Sequence, residues 1–281
     1  MDDGTPEDAI AAALIAGRDT EEGWTRVVEL QRRGDDATLQ AAARLLESAD
    51  ADRRVLAADI LGQLGAGDGH AGIAERPVRG PALELLIARL AVEDDPDVVE
   101  AIASAIGHFP DARCVAILAD LRGHPAESVR HAVVMGLHAR EDELAVDTLI
   151  ELSDDPEAWV RDWATFGLGT MIRRDDQRVR EALAARLTDT DDTTRAEAIR
   201  GLAVRHDERA IPQLLSELDH GTELDDPAIL EEALCALAAH APDDDLCRHV
   251  DRQARQWRTA SPNESLPADL QQAVRSCQDN R

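Results

Sequence analysis

Residues 153–169 read SDDPEAWVRDWATFGLG, and this stretch decides the fold. Asp154, Asp155 and Pro156 mark a helix start. An aspartate ahead of a helix accepts free amides of the first turn, and proline at the first position has no N–H to leave unpaired. Val160, Ala164 and Leu168 then fall on one face at helical spacing. Leu168-Gly169 closes the segment. Trp159, Trp163 and Phe166 also lie here, half of the six aromatic residues in the chain.

The same pattern recurs on both sides. Leucine-rich A helices are expected at 39–46, 83–90, 115–121, 146–152, 179–187 and 211–218. B helices end at Leu61-Gly62, Ile106-Gly107, Leu137-His138, Leu168-Gly169, Leu202-Ala203 and Leu237-Ala238, in steps of 45, 31, 31, 34 and 35 residues. Two helices per unit with a period in the thirties predict an α-solenoid. Glycines and prolines make residues 65–81 a loop, which accounts for the long first step. Asp94-Asp95-Pro96 and Asp225-Asp226-Pro227 repeat the start signal. Gly123-His124-Pro125 is a variant, and residues 189–192 do without proline. Ala57, Ala103, Ala164, Ala198 and Ala233 allow neighbouring B helices to approach closely.

The ends are atypical, as terminal units of arrays are. Residues 6–33 read as two short helices, with Trp24, Val27, Val28 and Gln31 on one side. Residues 243–258 and 266–277 read as a final pair around a turn at 260–267. The expected layout is one domain over 1–281: an N-terminal cap at 1–36, six repeats at 37–240, and a C-terminal cap at 241–281.

The net charge is −27, from 57 acids against 30 bases, every base being arginine. Such a surface repels phosphate backbones and anionic lipid. No basic run exceeds Arg32-Arg33 or Arg173-Arg174, so neither nucleic acid nor membrane is an expected partner. Cys114, Cys235, Cys247 and Cys277 are far apart, with no CxxC, and read as buried or idle thiols in a reducing compartment. The N-terminus carries acids where a signal peptide carries bases, and no apolar run is long enough to span a bilayer. A cytoplasmic protein is expected.

At the B helices the chain resembles the HEAT repeat family, in particular the short bacterial and archaeal class with phycobilisome-lyase-type repeats. The residues that carry this are Val129-Arg130 with Leu137, Val160-Arg161 with Ala164, Leu168 and Gly169, Arg195 with Ala198 and Leu202, and Arg54 with Ala57, Leu61 and Gly62. The resemblance covers about residues 39–239. It implies an all-α, right-handed α-solenoid of stacked two-helix repeats. It also implies that Arg54, Arg130, Arg161 and Arg195 form a structural ladder, each pairing with an acid of an inter-helix turn. Val99 and Leu230 interrupt that ladder. Relatives include chromophore lyases, an iron-dependent hydroxylase with His-Glu ligand pairs, and DNA glycosylases. This chain has no His-Glu dipeptide and no evident basic groove.

The remaining B-helix positions face the concave side of such an array. They are Glu100 and Ser104 in the second repeat, His131, Met135 and His138 in the third, Asp162, Trp163 and Phe166 in the fourth, and Glu197 and Arg200 in the fifth. Tryptophan, methionine and arginine in one strip are the usual composition of a binding hot spot. Trp163 and Phe166 fit either that strip or the repeat interface, and Trp159, beside Val160, fits the core. The function expected is non-catalytic binding of a protein partner at Trp163, Phe166, Asp162, His131, Met135, Arg200 and Glu197, with no cofactor and no metal. The alternatives are a HEAT-like enzyme, of lyase or glycosylase type, and an acidic inhibitor or immunity-type protein. No P-loop, GxGxxG, HExxH or serine-triad order is present.

Overall fold

Aspartates set the helix starts in this chain. In a computed structural model, Asp35, Asp50, Asp95, Asp176, Asp191 and Asp243 each accept a backbone N–H at the start of a helix. His124 supplies its ring Nδ1 to Ala126 N in the same way. The structure describes residues 5–17, 20–66, 76–220, 224, 226, 228–262 and 264–280.

The chain divides into two compact units, Met1–Leu137 and His138–Arg281. The first holds α1 (Pro6–Ala16), α2 (Glu21–Arg33), α3 (Asp36–Leu46), α4 (Ala51–Gln63), α5 (Arg79–Leu90), α6 (Pro96–Gly107), α7 (Arg113–Asp120) and α8 (Glu127–Leu137). The second holds α9 (Glu143–Leu152), α10 (Ala158–Phe166), α11 (Gln177–Arg186), α12 (Asp192–Ala203), α13 (Ile211–His220), α14 (Ala228–His240), α15 (Asp244–Ala260) and α16 (Ala268–Asp279). No strand occurs among the described residues. In both units successive helices pair, and pairs stack B helix on B helix: α2, α4, α6 and α8 in one unit, α10, α12, α14 and α16 in the other. The fold is the all-α array of stacked two-helix repeats. The terminal pairs, α1 with α2 and α15 with α16, follow the same plan.

Ala57, Ala103, Ala164, Ala198 and Ala233 are all fully buried between B helices. Glycines take the closest crossings. A Cβ on Gly107 would lie 2.6 Å from the Gly136 Cα, and one on Gly201 would lie 2.7 Å from the Gly169 Cα. Gly62 and Gly107 lie in the last turns of α4 and α6, as the spacing predicts, and there they also set the helix-to-helix distance.

Three features depart from the sequence reading. Gly167–Met171 continues the fourth B helix as a single π turn, closed by the 2.9 Å bond from Ile172 N to Gly167 O. The widened turn frees carbonyls that the buried Arg205 guanidinium collects from Leu168, Gly169, Ile172 and Arg174, together with Gly201. At residues 154–156 the start signal makes a turn: Asp155 accepts from Glu157 N, and the helix proper begins at Ala158. The loop expected at 65–81 lies partly outside the described residues, at 67–75, while residues 79–81 already belong to α5. Asp225 and Pro227, within another start signal, and Asn263, in the 260–267 turn, are also outside them.

The reading of four idle thiols fails at the C-terminus. Cys114 and Cys235 are free and buried, but Cys247 and Cys277 form a disulfide between α15 and α16, their Cα atoms 5.5 Å apart. A separation of 30 residues hides that pairing from the sequence. The bond also removes the thiol argument for a reducing compartment. No described helix is long and apolar enough to cross a membrane.

Candidate functional site

The arginines of the repeat pattern face their own turns, and Arg54, Arg161 and Arg195 also reach the next repeat. Arg161 donates to the Asp155 and Pro156 carbonyls and bidentately to Asp189, at 3.0 and 2.8 Å. Arg54 does the same with the Ser48 and Ala49 carbonyls and Glu93. Arg195 bonds the Asp189 carbonyl, Asp192 and Glu217. Arg130 reaches the His124 and Pro125 carbonyls. The bonds of Arg54, Arg161 and Arg195 tie one repeat to the next, while those given for Arg130 stay within its own turn.

A second set of arginines carries no signal in the repeat pattern. Arg205 is one. Arg79 is the other: it is buried, donates to the Gly62 and His108 carbonyls, and stacks 3.9 Å from the Phe109 ring centroid. Both take up carbonyls that helix ends leave without amides.

The α10 surface presents an aromatic stripe. Residues 159, 163 and 166 lie at i, i+4 and i+7, so they share a face. Val160, Ala164 and Thr165 occupy the buried face. Trp159 is therefore not the core plug expected from its place beside Val160. It is 38% exposed, as is Trp163, while Phe166 is half-buried.

Within the second unit this stripe meets two neighbours. Trp163 and Phe166 pack edge to face, their centroids 5.6 Å apart. The His138 ring lies 6.0 Å from Trp163 and 5.7 Å from Phe166, with its Nε2 3.0 Å from the Trp163 carbonyl. On the other side the Arg200 guanidinium lies 5.6 Å from the Phe166 ring centroid. Arg200 also donates to Glu197 at 2.8 Å, bonds Thr170, and pairs with Glu232 at 3.4 Å. Trp163, Phe166, Glu197 and Arg200 thus come together, joined by His138, Thr170 and Glu232. His131 and Met135 lie on α8 in the first unit, His131 half-buried and Met135 exposed. Sequence spacing missed Glu232, because only the stacking of α14 on α12 brings it to Arg200.

Two carboxyls of this face keep their protons to unusually high pH. Burial, then the charge of Asp191, raises Asp162 to about 6. Its buried Oδ1 has no hydrogen-bond partner among the described residues. Burial raises Glu197 to about 7, opposed by Arg200 and reinforced by Asp162 and Glu232. An unfolded chain binds these protons only below about pH 4–4.5. Between there and neutrality the folded state holds more protons. Stability contributed by these groups therefore falls as pH rises through that window, then levels off. We expect Glu197→Gln to gain stability relative to the unmodified chain at pH 8 and to lose that advantage at pH 5. Melting curves at both pH values check this, and a pH-independent difference would refute it.

No group of three or more His, Cys, Asp or Glu that could hold a metal ion occurs among the described residues.

A sequence profile described as HEAT repeats matches residues 83–169 and again 152–238. Over 106 residues the chain is 34% identical to Protein YibA of Escherichia coli strain K12, and equally to that of strain O157:H7. The match takes in 38% of this chain and only 37% of the relative's length. Among solved structures, the X-ray structure of Escherichia coli YibA superposes with a TM-score of 0.69 over 99% of this chain and 93% of that one, at 20% identity. An engineered protein superposes at 0.56 over 98% and 77%, also at 20% identity. At that identity both likenesses concern the fold alone.

Proposed function

The chain belongs to the HEAT repeat family, and from that premise we propose that it is a non-catalytic scaffold taking a protein partner on the B-helix face of its second unit. The observation that carries this reading is the half-exposed stripe of Trp159, Trp163 and Phe166, bordered by Arg200. Soluble proteins seldom leave two tryptophans of one helix face in water without a use for them. Aromatic and arginine anchors concentrate binding energy at interfaces. Trp163 is held by Phe166 and His138 at the distances given above, so its ring is already positioned and loses little freedom on binding.

The partner is captured with the tagged chain from native lysate and identified, and its affinity is measured with purified components. Trp163→Ala and Phe166→Ala should each weaken that affinity by about 2 kcal/mol, roughly 30-fold. Because Trp163 is partly exposed, its variant should melt close to the unmodified chain. Equal affinity in both variants would place the interface elsewhere. Unfolding of both would return the residues to the core.

A further inference from the structure

We propose that the cavity between α14, α15 and α16 binds a small organic cation, an ammonium group carried on an apolar body. The cavity measures about 410 Å³, within the ordinary size of small-molecule sites. Its inner wall is apolar: Cys235 and Leu270 are buried there, and half-buried Trp257 supplies an aromatic surface. Its rim is acidic. Glu231, Glu232 and Asp269 line it, and no arginine or histidine does among the described residues.

The acids act inward as well as outward. Burial together with the charges of Asp269, Glu231 and Glu232 pushes the Cys235 thiol up to about 12. The three carboxylates and the thiol line one cavity, whose wall is therefore hostile to negative charge. Glu232 is partly neutralised by Arg200, 3.4 Å away. Glu231 and Asp269 have no ion-pair partner among the described residues.

A cation lying against an indole and facing carboxylates gains from both. Gln253 on the α15 side has a buried side-chain oxygen without a hydrogen-bond partner, an acceptor suited to an ammonium donor. A bare metal ion suits the site poorly, since the acids form no metal-ligating cluster among the described residues. The Cys247–Cys277 bond joins α15 to α16. Two of the three walls are thus fixed before any ligand arrives, which lowers the entropy lost on binding.

The full chain is titrated with 2-phenylethylammonium chloride and, separately, with neutral 2-phenylethanol, at physiological salt, by calorimetry and tryptophan fluorescence. We expect one saturable site, at least tenfold tighter for the ammonium. Glu231→Gln with Asp269→Asn should weaken the ammonium at least tenfold and leave the alcohol unchanged. Ala260→Trp, at the exposed end of α15, should block both. Melting curves of each variant establish that it is folded. Equal binding of the two compounds overturns the cation assignment. Absence of saturable binding overturns the site, as does ammonium binding that both variants leave intact.

Discussion

Gly107→Ala is expected to destabilise the chain by about 3 kcal/mol, the upper part of the range for overpacked interiors. The added Cβ would meet the Gly136 Cα at 2.6 Å. Backbone cannot rotate aside as a side chain can, so α6 and α8 must separate. That movement would loosen Ile102, Ile106, Val133 and Leu137, all fully buried. Alanine is the better helix former by about 1 kcal/mol, but Gly107 is the last residue of α6, where that gain is smallest. The melting temperature should fall by roughly 6–12 °C. Gly80→Ala is the control, because nothing lies within 4 Å of its Cβ. It should be neutral or slightly stabilising. A Gly107→Ala protein as stable as the control would show that the two helices slide apart at little cost.

The second large effect is expected at Arg205. Its side chain is 6% exposed and its guanidinium serves five carbonyls, four of them on residues 168–174 around the π turn. Burial lowers its pKa, which records what desolvating the charge costs. Six hydrogen bonds to these five carbonyls offset that cost. Arg205→Met keeps the length and apolar stem but supplies no donor. Each carbonyl left unpaired out of water costs about 1–3 kcal/mol, less where water enters, so a net loss of about 3–5 kcal/mol is expected. Arg205→Lys should recover less than half, since an ammonium offers three donors from one point where the guanidinium offers five in a plane. Denaturant melts measure both, and hydrogen exchange at residues 167–172 should report an opened π turn. A Met variant within 1 kcal/mol of the unmodified chain would mean that water satisfies these carbonyls equally well.

These two positions differ in how much the sequence says of them. Gly107 sits at the end of the Ile-Gly signal, and the signal suggests termination; its use is contact with Gly136. Arg205 lies outside every repeat motif, and the π turn it serves has no composition of its own beyond Gly167 and Gly169. Asp95 is the opposite case, where the residue type alone accounts for the bond it makes. The Trp159, Trp163 and Phe166 stripe is intermediate. Its shared face follows from spacing, while the 38% exposure of Trp159 follows from which side of α10 the neighbouring helices cover.

The sequence by itself determined the repeat. Aspartates at helix starts, alanines on B helices and a period in the thirties depend on neighbours within a few residues, and local physics reads them directly. Tertiary structure decided the rest. Glu232 reaches Arg200 across 32 residues, and Cys247 reaches Cys277 across 30. Three helices enclose the acidic cavity. The high proton affinities of Asp162 and Glu197 arise from burial, which no single segment imposes. In residues 153–169, Val160 and Ala164 could be understood in isolation, whereas what Trp163 and Phe166 face was set by helices elsewhere in the chain.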